Sequence, residues 1–417
     1  MDLYYKKYIT YKNKYINLKN QLGGLLCPLN TLNMGLDVDK IEDCNNVNAI
    51  GKVNIDDMTE QDRNAANEKG YKTEELYFNC YIKEENTGEK EIYKCTGPEK
   101  INRDFKIATY NIMGLDISDA RIELIKKRMP LIASEIIDND IDIVCFQEMS
   151  YTTYMELSKL LPEYDIYDYM NEGEHDFLKT HDRGHDVECA VAIKRELNPE
   201  RIIVEPIGGN SKFTNSLLIL EFPNLVIFNC YLQPGTKFSP GLSKIYLHYA
   251  RCRQQLLQYI IDKLPNYNSK PRIILGDFNI DLNSSSEDFP DIQYINKLKD
   301  LGFLDNWEEI IKRVGGKVGL GLTEDTDTNI MRWNDKFLEK KTRVDGIFTI
   351  GLEIINSKII GIKSLLIEND SAYKNKFIEK FTAAKKNYNH PNLKLIEGKI
   401  PIFASDHYGV MSTLRIM

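Results

Sequence analysis

The pattern of apolar and polar residues divides the chain into three parts. In residues 1–24, Tyr and Leu recur at alternating spacings of four and three, with Lys and Asn between them, and Gly23 and Gly24 follow. This pattern predicts an amphipathic helix that ends at the two glycines. Residues 25–103 are polar and predict a loosely structured accessory segment. In residues 104–417, short β-rich runs alternate with segments of helical period and predict one large domain.

Eight apolar runs in residues 104–417 predict β-strands. They read KIATY, DIVCF, ECAVAI, SLLILEF, LVIFNCYL, RIIL, VDGIFTI and YGVMSTLRI. Apolar residues at helical spacing predict one helix over residues 122–136, with Pro130 as a candidate kink, and a second over residues 245–259. Several strands follow each other too closely for a crossover helix. We therefore expect two mixed β-sheets packed face to face, with helices outside.

The composition supports a large core and argues against binding of nucleic acid by charge alone. Hydrophobic residues make up 42% of the 417, and the formal net charge is −8. Because neutralising phosphates requires clustered Lys and Arg, an anionic substrate has to be met by a local site. The N-terminal stretch has no continuous apolar run, so we expect neither a secretory signal nor a transmembrane segment there.

The eight cysteines are widely spaced and include no C-x-x-C pair. Cys145, Cys189, Cys230 and Cys252 lie inside apolar runs, which predicts buried free thiols in a reducing, intracellular compartment. The spacing argues against a disulfide framework and against a zinc site built from cysteines.

Polar residues recur where the predicted strands end. They are Asn111, Glu148, Asn229, Tyr231, Asp277, Asn279, Asp345, Asp406 and His407. A single Asp-x-Asn often does no more than bond its own turn, but strand ends on one edge of a sandwich can converge on one cleft. Oxygen ligands with a single His favour Mg²⁺ or Mn²⁺ over zinc. Asp277 is a candidate proton acceptor, and Asn279 and His407 are candidates to stabilise charge on a phosphate. The pattern predicts a phosphoester hydrolase.

Four short motifs contain several of these residues: TYN, FQE, GDFN and SDH. They occur in the order that is typical of the endonuclease/exonuclease/phosphatase superfamily. The chain resembles this family over about residues 104–417, and the resemblance implies an α/β four-layered sandwich. It also implies that Glu148 is the main metal ligand, with Asn111 beside it. Asp406 would complete the metal and water environment.

The resemblance assigns the chemistry to the remaining positions. Asp277 would orient or deprotonate the attacking water, and Asn279 would bind the scissile phosphate. His407 would stabilise the transition state, held in its tautomer by Asp345. The family often has His where this chain has Tyr231, and a phenol donates a hydrogen bond without supplying a cation.

Three further residues are candidates for substrate binding. Asn229 lies in the NCYL run, and Arg251 with Gln254 matches an R-x-x-Q pattern on the following helix. Arg251 either braces the site or caps its wall. Trp333 is a candidate stacking surface for a base, with an ordinary core or surface aromatic as the alternative.

Several stretches resemble the tyrosyl-DNA phosphodiesterase 2 subfamily: YNIMGLD, LTEDTDTN, KTRVDGIF and FASDHYGVM. The sequence departs from that pattern at Met113, which replaces Asp, and at Glu324, which replaces a Trp of the DNA groove. We therefore expect a phosphodiesterase acting on DNA ends, with 5′-phosphotyrosyl DNA as one substrate. The alternatives are an abasic-site or general DNA endonuclease or exonuclease, and a non-catalytic scaffold or virion protein that retains the fold.

Residues 1–24 resemble the Tyr/Lys-rich starts of proteins from giant amoeba-infecting viruses. The resemblance implies a viral origin, so the expected intracellular location is the host cytoplasm or nucleus, or the virion. The predicted helix has three candidate roles, which are docking on its own protein, pairing with another helix, and binding an anionic surface.

Overall fold

The structure is a computed structural model. It describes residues 91–94, 98–114, 119–168, 188–206, 216–235, 244–284, 291–316, 321–332, 340–367 and 399–417. The N-terminal helix, most of the accessory segment and Trp333 lie outside the described residues, so the predictions made for them stay predictions. The same is true of the helix pairing, the intracellular location and the domain boundary at residue 104.

Two large mixed β-sheets form the centre of the molecule. The first contains, in spatial order, β1 (Glu91–Lys94), β6 (Arg201–Pro206), β7 (Ser216–Phe222), β8 (Leu225–Tyr231), β9 (Arg272–Asp277), β13 (Asp345–Ile350) and β10 (Leu304–Asp305). The second contains β14 (Leu352–Ile360), β17 (Gly409–Ile416), β2 (Phe105–Asn111), β3 (Ile143–Met149), β5 (Glu188–Lys194) and β4 (Tyr164–Asp168). Each sheet has one parallel pair, β8 with β9 and β2 with β3.

Two short ribbons and five helices complete the described part of the chain. The ribbons pair β11 (Glu324–Asp325) with β12 (Lys341–Thr342) and β15 (Ser364–Ile367) with β16 (Ile400–Phe403). The helices are α1 (Asp119–Asp138), α2 (Tyr151–Leu160), α3 (Lys244–Lys263), α4 (Ile292–Asp300) and α5 (Asn306–Arg313). Short 3-10 helices cover Leu264–Tyr267 and Ile330–Arg332.

The central strands, such as β2, β8 and β9, are buried on both faces, which gives four layers. In β2, Ile107 packs into the core between the two sheets, whereas Ala108 packs against Ile132 of α1. On the other side, alternate residues such as Phe228 of β8 face Ile260 of α3. Successive side chains of a strand point to opposite faces, so long apolar runs are needed here. The fold is the predicted α/β four-layered sandwich.

All eight predicted strands and both predicted helices are present. Helix α1 runs through Pro130, which lies within the helix on its exposed side. The nine-residue strand β14 was missed because a bulge between Ile354 and Asn356 interrupts the alternation of buried and exposed positions. The four residues of β1, from the accessory segment, pair antiparallel with β6.

The cysteine prediction is correct at three of the four core positions. Cys145, Cys189 and Cys230 are free and buried. Cys252 is disulfide-bonded, so the prediction of a free thiol there is wrong. Within the described ranges, no helix has the length and apolarity needed to cross a membrane.

Candidate active site

Three polar residues of the first sheet lie side by side at one edge. Strand register places Tyr231 of β8 beside Asp277 of β9, and Asp277 opposite Asp345 of β13. The parallel strands β8 and β9 both end at this edge of the sheet, and the antiparallel strand β13 begins there. In the second sheet, Asn111 ends β2, Glu148 lies near the end of β3, and His407 precedes β17. We call these six residues the polar cluster.

Asn111 joins the two sheets within the polar cluster. Its Nδ2 donates to Glu148 Oε1 at 3.1 Å and to Asp277 Oδ2 at 3.0 Å. Its Oδ1 accepts a hydrogen bond from the backbone nitrogen of Met113 at 3.0 Å. The side chain therefore presents its nitrogen to the carboxylates, and its predicted role as a metal ligand stays a prediction.

Glu148 faces the cluster because β3 is irregular at this point. Alternation would direct Gln147 inward and Glu148 outward, but the register shifts between Phe146 and Met149. Glu148 has a φ of +58°, a left-handed conformation that is uncommon for residues other than glycine. Its Oε1 accepts a hydrogen bond from the Tyr231 hydroxyl at 2.9 Å. The bulge thus turns the carboxylate toward the other sheet.

Two glycines permit the close backbone contacts at this edge. A Cβ on Gly114 would lie 2.0 Å from the carbonyl oxygen of Glu148. Gly276, immediately before Asp277, has a φ of +148°, and its Cβ would lie 1.9 Å from the carbonyl oxygen of Cys230. Any larger residue would displace the backbone that carries the neighbouring carboxylate.

Asp277 both stabilises its own turn and contacts the opposite sheet. Its Oδ1 accepts a hydrogen bond from the backbone nitrogen of Asn279 at 2.8 Å, while Oδ2 faces Asn111. Burial and then the charge of Asp345 raise the pKa of Asp277 to about 7, and His407 opposes this shift. A carboxyl group with a pKa near neutrality is suited to accept a proton in catalysis.

His407 is paired with Asp345. Nδ1 of the imidazole lies 2.9 Å from Asp345 Oδ2, and the Asp345 side chain is fully buried. The other carboxylate oxygen, Oδ1, has no hydrogen-bond partner. Burial disfavours the charged imidazole, but Asp345, Glu324 and Asp406 outweigh it and raise the pKa of His407 to about 10. The imidazole is therefore cationic at neutral pH.

Glu324 lies on the other side of the imidazole, and sequence reasoning did not place it in the site. Its Oε1 is 3.4 Å from His407 Nε2, 2.5 Å from Lys340 Nζ and 2.5 Å from Arg332 Nη2. Its Oε2 accepts from the Thr342 hydroxyl at 2.6 Å. Burial would raise the pKa of Glu324, but Arg332 and Lys340 lower it well below its usual range. The only signal in the sequence was an acid in place of the expected Trp.

Asp406 lies close to Arg332 and interacts electrostatically with Glu148. Its Oδ2 lies 3.2 Å from Arg332 Nη1, and its charge, after burial, raises the pKa of Glu148. Among the described residues, Asp277, Asp345 and His407 offer one ligand atom each within 4.8 Å of one another, which marks an acidic and histidine-containing candidate metal site.

Asn229 lies apart from the polar cluster, contrary to its prediction as a substrate-binding residue. It is fully buried between the sheets. Its Nδ2 donates to the carbonyl oxygens of Phe146 at 3.2 Å and Ala190 at 2.9 Å, and its Oδ1 accepts from Gln147 at 2.8 Å. Its hydrogen bonds hold the two sheets together.

Arg251 is exposed on α3, whereas Arg253 is fully buried. Arg253 Nε pairs with Asp291 Oδ2 at 2.5 Å, and its Nη1 donates to the carbonyl oxygens of Gln233 and Gly235. Gln233 and Gly235 follow β8, so Arg253 braces the segment after Tyr231, and the role predicted for Arg251 stays a prediction.

The chain belongs to the endonuclease/exonuclease/phosphatase family, whose model matches residues 108–333, more than half of the chain. No curated protein matches it significantly in sequence. Members of this family are metal-dependent phosphoesterases and nucleases, and the protein is accordingly a hydrolase acting on ester bonds. The predicted family resemblance is confirmed.

Solved structures similar to this chain include TDP2 from Caenorhabditis elegans, at 20% identity and a TM-score of 0.48, covering 75% of this chain and 74% of that one. D. rerio TDP2 complexed with a single-strand DNA product has 16% identity and a TM-score of 0.47, covering 75% and 100%. A mannosyl-6-phosphatase from Bacteroides thetaiotaomicron has 16% identity and a TM-score of 0.48, covering 75% and 99%.

Proposed function

We propose that the protein is a magnesium-dependent phosphodiesterase that hydrolyses a phosphoester at DNA ends, with 5′-phosphotyrosyl DNA as the first substrate to test. Such an activity would serve DNA repair. One observation carries the proposal: the Asp345–His407 pair and Asp277 lie at the same edge as Glu148, and Asn111 connects Asp277 to Glu148 across the sheets. A proton acceptor, a cation and a candidate metal ligand thus lie together where the two sheets meet.

Asp277 is the proposed base for the attacking water. Its raised pKa of about 7 lets it hold a proton during the reaction and release it near neutral pH. The hydrogen bonds to Asn111 and to the backbone of Asn279 fix the direction of both carboxylate oxygens. This fixed geometry aligns the water before the reaction begins.

His407 is the proposed stabiliser of negative charge on the phosphate. Asp345 fixes the ring through Nδ1, so Nε2, which lies 3.4 Å from Glu324 Oε1, is the nitrogen proposed to face the substrate. Asn279 is proposed to donate to the same phosphate. Its Nδ2 now donates to the carbonyl oxygen of Leu232 at 3.0 Å, so it must exchange that partner when substrate binds.

The charges of the site fit a divalent cation. The site contains five acidic side chains and three basic ones, an excess of two acidic groups. The acids are Glu148, Asp277, Glu324, Asp345 and Asp406, and the bases are Arg332, Lys340 and His407. Mg²⁺ or Mn²⁺ suits such oxygen ligands and, when bound, would stabilise charge on the phosphate.

Glu148 and Asp406 are the residues we propose to hold this cation. His407, Asp277 and Asp345 each offer a ligand atom within 4.8 Å of the other two. A protonated imidazole, however, has no free lone pair for a metal. In contrast, both donors to Glu148 are neutral and reach the same oxygen, Oε1, which leaves its negative charge uncompensated by them.

Thermal unfolding tests the metal proposal separately from activity. Mg²⁺ or Mn²⁺ should raise the melting temperature of the wild type and not that of Glu148→Gln, because the amide lacks the charge that binds the cation. Glu123→Gln, on the exposed face of α1, is the matched control and should respond like the wild type. An equal response of Glu148→Gln would exclude Glu148 as a ligand.

A panel of oligonucleotides tests the reaction. It contains 5′-phosphotyrosyl, 5′-phosphate and 3′-phosphate ends and an internal abasic site, each assayed with Mg²⁺, Mn²⁺ and EDTA. We expect metal-dependent release of tyrosine from the 5′ end, and no release by Glu148→Ala. Absence of cleavage of every substrate by folded wild-type protein would refute the proposal.

An abasic-site or general DNA endonuclease is the second candidate. The observation that favours it is Tyr231, which donates to Glu148 at the position where the resembled subfamily has His. The same panel separates the two functions, since an endonuclease would cleave the internal site and leave the phosphotyrosyl end intact.

A further inference from the structure

Glu324, Arg332 and Lys340 form an ion cluster beside His407, which we call the Glu324 cluster. Two cations share one carboxylate oxygen, Oε1 of Glu324, at 2.5 Å each. The Glu324 side chain is 1% exposed, whereas Arg332 is 20% exposed and Lys340 is 13% exposed. The carboxylate is thus buried, whereas both cationic side chains are partly exposed. The cluster carries a net positive charge in a chain whose formal charge is −8.

The Glu324 cluster touches the polar cluster through His407 and lies beside Asp406. Arg332 contacts Asp406 at 3.2 Å, Glu324 lies 3.4 Å from His407, and the charge of Asp277 acts on Lys340. Arg332 and Lys340 each contact Glu324, which in turn contacts His407. Neither cation therefore occupies the position of His407 itself. They are placed for an anionic group that neighbours the phosphate under attack.

The backbone around both cations is fixed. The backbone nitrogen of Lys340 donates to Thr326 Oγ1 at 3.0 Å, and the nitrogen of Thr326 donates to the carbonyl oxygen of Lys340 at 2.9 Å. Arg332 ends a 3-10 helix that follows Asn329, whose Nδ2 donates to the carbonyl oxygen of Ser405 at 2.9 Å. Ser405 lies two residues before His407, so the helix is tied to the segment that carries the imidazole.

We propose that Arg332 and Lys340 bind a second phosphate of the substrate strand, next to the scissile one, and that Glu324 is the positioning residue that holds them there. The inference rests on the proposed function and narrows its substrate class. The substrate is a nucleic-acid strand with consecutive phosphates, rather than an isolated phosphoester.

The physical basis is that the two cationic side chains are already ordered before the substrate binds. A long cationic side chain loses conformational entropy when it binds an anion, and a buried carboxylate that already orders Arg332 and Lys340 reduces that loss. Burial, and then Arg332, lower the pKa of Lys340, so a phosphate in contact with it would favour the charged amine. Glu324 replaces the aromatic wall implied by the resemblance, so binding here is ionic and depends on salt.

Two substrates with the same scissile group test the inference. Thymidine 5′-(4-nitrophenyl phosphate) carries one phosphate, and an oligonucleotide with the same 5′-nitrophenyl phosphate carries further ones. Arg332→Gln and Lys340→Gln should each raise KM for the oligonucleotide about tenfold and change KM for the mononucleoside less than about twofold. An equal rise for both substrates, or no rise for the oligonucleotide, would overturn the inference.

Charge-matched controls separate local binding from general attraction. Arg195→Gln and Lys159→Gln remove the same charges from side chains that are 63% and 62% exposed, and should leave both KM values unchanged. Arg332→Lys and Lys340→Arg keep the charge and should retain most of the oligonucleotide affinity. Thermal melting verifies that each variant is folded, and each Gln variant leaves Glu324 the other cation and His407 as partners.

Glu324→Asp tests the positioning role. It keeps the charge but withdraws the carboxylate by one methylene, so the ratio of the oligonucleotide KM to the mononucleoside KM should rise. A merely structural role would alter both substrates in the same proportion.

A binding measurement gives an independent result if neither substrate is cleaved. Fluorescence anisotropy with a 3′-labelled, 5′-phosphorylated oligonucleotide in EDTA should show about tenfold weaker binding for the two Gln variants. Unchanged binding would overturn the inference. Absence of turnover by the wild type, with this difference in binding intact, would refute the proposed reaction and support the binding site.

Discussion

The side-chain nitrogen of Asn111 lies 3.0 Å from Asp277 Oδ2, although the two residues belong to different β-sheets. The same nitrogen donates to Glu148 at 3.1 Å. The packing of the sheets therefore sets the distance between the proposed base and the proposed metal ligand, and one neutral amide separates the two carboxylates.

Asn111→Ala should move the acidic limb of the pH–rate profile to higher pH. The hydrogen bond from Asn111 lowers the pKa of Asp277, so its loss raises that pKa further and the base is ionised only at higher pH. Asn224→Ala is a suitable control, because this amide also bonds a distant segment, at Ile101, but lies outside the polar cluster. An unshifted profile for Asn111→Ala would mean that Asp277 is not the titrating base.

Asp277→Asn should lower kcat by about 10²–10⁴-fold, because the amide keeps the shape of the side chain but cannot accept a proton. The melting temperature should not fall, since the substitution removes a buried charge. Asp165→Asn, an exposed carboxylate, provides the comparison and should retain full activity. A variant that melts early, with normal activity per folded molecule, would make Asp277 structural.

Stability should fall with rising pH through the titration of Asp277. Its pKa is raised from 3.8 in the unfolded chain to about 7 in the folded protein, so the folded state holds the proton more tightly. Between these values unfolding releases a proton, and the favourable contribution is lost as pH rises. At about 1.4 kcal/mol per pKa unit, the effect is on the order of a few kcal/mol.

The measurement is the melting temperature of wild type and Asp277→Asn in EDTA, from pH 4 to 8. The advantage of the variant should grow up to about pH 7 and then level off. A difference between the two proteins that stays constant over this range would contradict the assignment.

Arg251 and Arg253 should differ sharply in their effect on folding. Arg253→Met leaves Asp291 as an unpaired buried carboxylate, which costs about 3–5 kcal/mol. Arg251→Met changes an exposed side chain and should alter stability by less than about 0.5 kcal/mol. Urea denaturation of both variants measures the difference. Comparable losses would mean that Arg251 shares the bracing role.

The strands and the kind of chemistry were predictable because they depend on local patterns. Strands buried on both faces require continuous apolar runs, and each of the eight predicted runs is a strand. The polar residues that end these runs are acids, amides, one Tyr and one His, and such side chains are suited to proton transfer, metal binding and phosphate binding.

Which of these residues meet could not be predicted, because small differences in position decide it. Asn229 and Tyr231 point to the same face of β8, but Asn229 lies two residues deeper, where the opposite sheet covers it. Arg251 and Arg253 lie two positions apart on a helix and so face different sides. The spacing of two residues in the sequence does not show how deeply each side chain is buried or which way it points.

The strands, the long helices and the chemical types at the strand ends could be predicted from the chain alone, since they follow from local periodicity and side-chain chemistry. The bulge that turns Glu148 inward and the contact of Glu324 with His407, 83 residues away, arise only in the folded protein. Both outcomes depend on sheet packing and on contacts between distant segments, which no local pattern encodes.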